Sequence, residues 1–549
     1  MKFEVYNKDC GFLTGLESSQ AGNDLFELCS ISKELMSKSN GQLTIKFEQP
    51  IIDIQGYWNP DMYRPRMTLA WKIEFSCAAH CNFPYICFFN QAHQNRMTIG
   101  TSNLLDDALI SAEMNQQTGK YDIEIKVSIN PSTDKFEIFI DRSERPWTEV
   151  MQDYRNFVLP DIPSFPDAAW RPVFCTWYAV HAELSTHWLD EQSTTAAAMG
   201  FGTFIVDDGW CFDTMKRVSP KTITTWYDEV GEWKLSENKL PNFKGHIKRT
   251  QKLGLKYLLW VSPFMIGMKS RFMAETDCGY LTDENEGYRV FDPCNFFASE
   301  HSICNLIRIV KEFDLDGLKI DFVDVVPQNL HYPRGRAVYD YMTKLIESLR
   351  EFNEDALFEF RQKYSTPVML SLGTQFRAND VPFDFIENIH RIALIRICLG
   401  DKVPVHADPA YWAKDELQVH ISKHMICAIA GVPMLSMDLN ELSVDTHQII
   451  ENWLAFYTTH LNVFRNGHWQ INYNKEYLDT ITVEYQTEKI VFVCDRYHPD
   501  LAKVFKGNVY LLNLTENEVT QVDCQSFGFK GEALERGRII PGGYGILSV

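Results

Sequence analysis

No stretch of eighteen or more consecutive apolar residues occurs in this chain of 549 residues, so no membrane-spanning helix is expected. The opening segment Met1-Lys2-Phe3-Glu4-Val5-Tyr6-Asn7-Lys8-Asp9 is interrupted by charge at once and leads into no apolar core. No secretory signal is therefore expected, and the cytoplasm is the expected compartment. Basic residues are in deficit, with 53 Lys+Arg against 73 Asp+Glu and a formal charge of -20. A chain so acidic repels phosphate backbones and anionic lipid, which removes nucleic acid and membrane from the expected partners. The sequence has no Gly-rich phosphate loop and no Gly-x-Ser-x-Gly elbow. Internal repeats and low-complexity tracts are absent as well. The 14 cysteines are scattered, many inside apolar runs such as Tyr85-Ile86-Cys87-Phe88-Phe89, the pattern of reduced, buried thiols. Cys77-Ala78-Ala79-His80-Cys81 has no second ligand pair at zinc-finger spacing, and His406 with Asp408 supplies only two groups, so no metal is expected.

What is present divides the chain in three. Hydrophobic residues at 45% and charged residues at 23% are ordinary for a folded protein, and the length is too great for one core. Residues 1–165 carry short period-two runs, among them Leu43-Thr-Ile-Lys-Phe47, Tyr121-Asp-Ile-Glu-Ile-Lys-Val127 and Lys135-Phe-Glu-Ile-Phe-Ile140, which predict an N-terminal β-sandwich. The prolines of Val158-Leu-Pro-Asp-Ile-Pro-Ser-Phe-Pro166 mark a linker. Over 166–470 buried-type strands alternate with amphipathic helices. Strands are expected at Pro172–Tyr178, Thr203–Asp208, Tyr257–Ser262, Gly317–Phe322, Leu357–Arg361, Gln375–Asp380, Val403–Ala407 and Pro433–Met437. Eight β-then-α units predict a (β/α)8 TIM barrel, whose catalytic groups stand at the C-terminal strand ends. Residues 471–549 return to strand patterning and predict a small C-terminal antiparallel β-domain.

Two strand ends carry aspartates suited to glycosidic cleavage. Asp316-Gly-Leu-Lys-Ile-Asp321 points Lys319 and Asp321 to one face, where the lysine keeps the carboxylate ionised. Gln375-Phe-Arg-Ala-Asn-Asp380 puts a second acid two strands further round. One carboxylate attacks or stabilises the anomeric carbon while the other handles the leaving-group proton. Their mutual repulsion is expected to raise one of the two pKa values. The bland alternatives are an ion pair inside the barrel for Lys319–Asp321 and an Asn-Asp-Val-Pro turn for Asp380, with Asp384 a close competitor. Asp207-Asp208-Gly209-Trp210 ends the second strand, where paired acids can accept from sugar hydroxyls and a tryptophan can face a pyranose. Trp177 and Trp260 are further wall candidates, with core aromatics as the alternative. Arg361 and Arg377 add positive charge at the fifth and sixth strand ends, as orienting groups or as structural ion pairs.

Together, Arg171-Pro-Val-Phe-Cys-Thr-Trp177, Phe204-Ile-Val-Asp-Asp-Gly-Trp210, Gly231-Glu-Trp-Lys-Leu235, Lys252-Leu-Gly-Leu-Lys-Tyr-Leu-Leu-Trp260 and Asp316-Gly-Leu-Lys-Ile-Asp321 resemble the barrel of glycoside hydrolase family 36 α-galactosidases. The resemblance covers roughly residues 170 to 470 and extends to the sandwich, barrel, β-domain order. It implies a retaining double displacement with Asp321 as nucleophile and Asp380 as acid/base. It implies that Asp207 and Asp208 hold the 4- and 6-hydroxyls of an α-galactosyl ring, completed by Lys319, Trp177 and Trp260. No metal or organic cofactor is implied, the partner is an oligosaccharide or glycoside, and a homo-oligomer is left open. The fifth strand end departs from the family, with Phe360-Arg361-Gln362-Lys363-Tyr364 standing where a Cys- and Gly-rich loop is usual near the sugar 2-hydroxyl. Three other readings therefore stay in play: an α-N-acetylgalactosaminidase, a raffinose-synthase-type galactosyl transferase and a carbohydrate-binding barrel without catalysis.

Overall fold

The computed structural model describes residues 1–20, 25–213, 219–275, 279–284, 286–500 and 505–548. Its centre is an eight-stranded parallel sheet. The strands are β1 (Val173–Cys175), β2 (Thr203–Val206), β3 (Lys256–Val261), β4 (Gly317–Ile320), β5 (Leu357–Arg361), β6 (Gln375–Arg377), β7 (Val405–His406) and β8 (Met434–Leu435). Neighbours in sequence pair in register from β1 to β7, and β8 pairs with β1. The ring is completed between β7 and β8 by the bridges His406–Val432 and Ala410–Leu435. All eight expected strands exist, but most stop one to three residues early. The polar residues beyond each apolar run leave the hydrogen-bond ladder and turn into the loops of the C-terminal face. Thus Asp207, Asp208, Asp321 and Asp380 stand just past strand ends, and Trp177 opens the short helix Trp177–Val180.

The strands are apolar on both faces because helices cover the sheet, as parallel sheets require. In Gly335–Phe352 the buried residues Val338, Tyr341, Met342, Leu345, Ile346 and Leu349 recur every three or four positions and give one apolar stripe. No helix among the described residues is long and apolar enough to cross a membrane.

Ahead of the barrel, strands between Lys2 and Asp141 form two six-stranded sheets whose inward residues share one apolar cluster, including Phe3, Ile45, Ile86 and Ile138. The barrel rests against this part through specific contacts. The Asp107 carboxylate accepts from the backbone N–H groups of Asn329, Arg334 and Gly335 at 3.0, 3.0 and 2.7 Å, so it satisfies orphan donors at the start of helix Gly335–Phe352. After the barrel comes a six-stranded sheet beginning at His468. It is not wholly antiparallel as expected. The strands Glu488–Val493 and Asn508–Asn513 pair in parallel. Cys77 and Cys81 bring no third ligand near, and no group of three or more His, Cys, Asp or Glu suited to a metal occurs among the described residues.

Candidate active site

Asp321 follows β4 and is only 6% exposed. Its Oδ2 accepts from Trp260 Nε1 at 3.1 Å, and its Oδ1 accepts from the backbone N–H of Phe322 at 2.8 Å. Phe322 takes a left-handed conformation there, at φ 52°. Arg361 Nε lies 3.2 Å from Asp321 Oδ1, and Arg361 also holds Asp324 at 2.9 Å. Burial opposes the charge on Asp321, but the Arg361 guanidinium, followed by Lys319 and Arg377, overcomes it and holds the carboxyl at about 2. Lys319 does not reach Asp321 as a direct partner. Its Nζ donates to Asp207 Oδ2 at 2.5 Å and lies 4.0 Å from Glu359 Oε1.

Asp380 lies three residues past β6, with its side chain 46% exposed. Arg377 NH1 donates to Asp380 Oδ1 at 2.8 Å and also to Asp408 Oδ1, while Arg377 Nε lies 3.3 Å from Glu359 Oε1. Asp380 and Asp321 therefore face the same two guanidiniums and sense each other's charge. The expectation that repulsion raises one of this pair is not met. Loss of hydration raises Asp380, but Arg377 and Arg361 outweigh both that and Asp321, and its pKa is lowered. The raised carboxyls are elsewhere. Burial takes Asp408 up to about 7 in spite of Arg377, and Asp208 to about 7, with Asp207 adding repulsion. Glu359 is raised by burial too, and neither of its oxygens makes a hydrogen bond among the described residues. The physical cause is an imbalance. Asp207, Asp208, Asp321, Asp324, Glu359, Asp380 and Asp408 gather round Lys319, Arg361 and Arg377, so cations cannot neutralise every acid, and burial raises Asp208, Glu359 and Asp408.

The Asp207–Trp210 turn is set by its glycine. Gly209 has φ 102°, and a Cβ there would come 2.7 Å from Ala182 Cα. Its N–H donates to Asp208 Oδ1 at 2.7 Å, and Trp226 Nε1 donates to Asp208 Oδ2. Asp207 is fixed by Lys319 and by the Cys175 thiol at 3.0 Å. Trp210 is 0% exposed, donates Nε1 to the Trp260 carbonyl at 2.8 Å and stacks on Trp233. It is a wall behind the site, not a face for a sugar, because the turn directs its ring into the core. Trp260 is likewise buried, and its indole N–H serves Asp321. Trp177 is half-buried at the rim, edge-on to Trp226.

Several residues the sequence did not offer join the cluster. Tyr178 donates to Asp408 Oδ2 at 2.9 Å, and the backbone N–H of Val381 donates to the same oxygen at 2.8 Å. Tyr364 donates to the Ile320 carbonyl beneath Asp321 at 2.7 Å. Asp408 and His406, considered only as a pair of metal ligands, serve the ion network and the barrel floor, with a His406 ring nitrogen 2.8 Å from the Ala169 carbonyl. A usable signal for Asp408 lay in its position just past β7.

A parallel barrel with carboxylates and guanidiniums gathered at the C-terminal ends of its strands is an architecture on which barrel enzymes build their active sites. The particular likeness is to the α-galactosidases of family 36. The Melibiase family model matches residues 132–287. Over 214 residues the chain is 31% identical to an α-galactosidase of Escherichia coli, spanning 37% of this chain and 29% of that one. Over 169 residues it is 26% identical to α-galactosidase Mel36A of Lactobacillus acidophilus, spanning 30% and 22%. These matches thus span less than a third of the length of either curated relative. The fold matches the crystal structure of the family 36 α-galactosidase AgaA of Geobacillus stearothermophilus with a TM-score of 0.67 at 16% identity, covering 100% of this chain and 89% of that one. A variant of that enzyme, with a TM-score of 0.65 at 15% identity and the same coverage, was solved in complex with raffinose.

Proposed function

We propose that the protein is an exo-acting α-galactosidase that works by double displacement with retention. The observation that carries this reading is that Asp321 and Asp380 stand past the fourth and sixth strand ends, each held by a guanidinium, Arg361 at 3.2 Å and Arg377 at 2.8 Å. Asp321, ionised and held by Trp260 and the Phe322 N–H, is oriented to attack the anomeric carbon. Asp380, at the open side, gives a proton to the leaving oxygen and later takes one from water. A sugar covering Asp380 strips water from its charge and raises its pKa, which favours the acid form for the first step. Once Asp321 is consumed in the glycosyl-enzyme bond, its repulsion is gone and Asp380 is biased toward the base needed for the second step. Asp207, Asp208 and Lys319 bind the hydroxyls of the terminal ring. The galactosides of the relatives, raffinose among them, set the expected substrate class. The three segments 1–165, 166–470 and 471–549 are the domains we assign.

The test is a panel of nitrophenyl α-glycosides with the wild type, Asp321→Asn and Asp380→Asn. The galactoside should be preferred. Asp321→Asn should lose at least about a thousandfold in kcat. Asp380→Asn should lose about a hundredfold or more on an oligosaccharide, and much less with an activated leaving group. Near-wild-type turnover by Asp321→Asn sinks the nucleophile assignment. Preference for the N-acetyl substrate, transfer to an added sugar acceptor, or binding without turnover would each select one of the other three readings. NMR of the first product should show the α-anomer.

A further inference from the structure

Three aromatic rings climb from the floor of the site to its rim beside Asp380. Tyr178, in the short helix Trp177–Val180 after β1, is 7% exposed and anchored by its hydroxyl to Asp408 at 2.9 Å. Tyr411, in the loop after β7, stacks on it with centroids 5.7 Å apart and planes at 29°. Phe383, in the loop after β6, meets Tyr411 at 4.8 Å and 57°, and is 57% exposed. Phe383 lies three residues beyond Asp380, and its backbone sits at φ 68°, a left-handed conformation costly for a bulky residue. A bulky ring held more than half exposed on a strained backbone beside the acid/base carboxylate points to a role at the site rather than in the core. The intervening Val381 is tied to Asp408 by its N–H, so the loop carrying both Asp380 and Phe383 is fixed to the same carboxylate as Tyr178.

From this geometry we infer that Phe383 and Tyr411 form the platform for the leaving-group sugar, the ring on the far side of the bond being cut. The inference rests on the proposed function. The leaving oxygen must come within reach of Asp380, and the group attached to it must then extend outward past the next residues of the same loop. Phe383 offers the apolar face of a sugar ring a flat partner there, and Tyr411 backs it from below. Tyr178 holds Tyr411 in place and is a positioning residue. Such a platform makes the enzyme selective for galactosides whose leaving group is itself a sugar, because an aromatic face binds a pyranose and has nothing to bind in a small leaving group.

The test compares kcat/KM for raffinose with kcat/KM for α-galactosyl fluoride, whose leaving group has no ring. In Phe383→Ala the ratio of the two should fall roughly tenfold, and Phe383→Trp should restore it. Tyr411→Ala should lower the same ratio. Phe383→Gly relieves the left-handed backbone while deleting the ring, so an equal fall in the Ala and Gly variants assigns the effect to the ring. An unchanged ratio in Phe383→Ala, whether both constants hold or both drop together, overturns the platform. So does a fall in both constants accompanied by a change of molar mass in light scattering, which would make Phe383 a contact between copies of the chain. Wild-type enzyme that releases galactose from neither substrate overturns the proposed function, and the platform with it.

Discussion

At the scale of single residues, the site is governed by a shortage of positive charge. Three cations serve seven carboxyls, so burial decides which acids ionise. Asp321 wins its charge because Arg361 touches it, and Asp408 is raised because burial outweighs Arg377, which also serves Asp380 and Glu359. This has a consequence for stability. Asp408 and Asp208 are raised from the ordinary carboxylate range to about 7 in the folded state. Between about pH 4 and pH 7 the unfolded chain has released these protons while the folded one retains them, so stability falls as pH rises through that window. Asp321 has the opposite sign, and its contribution is lost only as pH falls from about 4 towards 2. Calorimetry of Asp408→Asn should therefore show a shallower decline of Tm between about pH 4 and 7 than the wild type. An identical slope would mean that Asp408 is ionised across that range.

At the scale of elements, the eight strands were readable because parallel barrel strands are buried on both faces and form unbroken apolar runs. Phe204-Ile-Val206 and Tyr257-Leu-Leu-Trp-Val261 are such runs. Strand ends were read too long, since a polar residue that leaves the ladder looks the same in sequence as one that stays. The parallel pair in the C-terminal sheet was missed for a related reason, because alternation marks a strand and says nothing of its direction. The strand bearing Lys319 is tightly placed. A Cβ on Gly317, the first residue of β4, would stand 1.9 Å from the Leu357 carbonyl oxygen of β5. Gly317→Ala should force these strands apart, destabilise the protein by about 3 kcal/mol, and lower activity more than a surface change of equal stability cost. Urea unfolding alongside kcat/KM measures both.

At the scale of the whole molecule, the part before the barrel acts on it directly. Asp107 caps the barrel helix Gly335–Phe352 from a distant stretch of sequence, Arg64 pairs with Glu387, and the Tyr63 hydroxyl accepts from Asn379, the neighbour of Asp380. Asp107→Ala should destabilise the protein by about 1–2 kcal/mol, the range of a lost N-terminal cap, seen as a lower urea midpoint with an unchanged slope. If the midpoint did not move, the cap would contribute nothing.

The sequence by itself determined the barrel, its order of strands and the chemical types at their ends, because those follow from local runs of apolar residues and the polar residues that close them. It offered Asp207, Asp208, Lys319, Asp321, Arg361, Arg377 and Asp380, which the fold brings into one cluster. Only the tertiary structure decided which acid meets which cation. Lys319 turned to Asp207, Asp408 joined Arg377, and Tyr178 reached a carboxylate 230 residues away. It also decided that Trp210 faces inward and Phe383 outward. Pairings of this kind depend on closing the ring, which sets residues remote in sequence side by side and fixes how much water each one keeps.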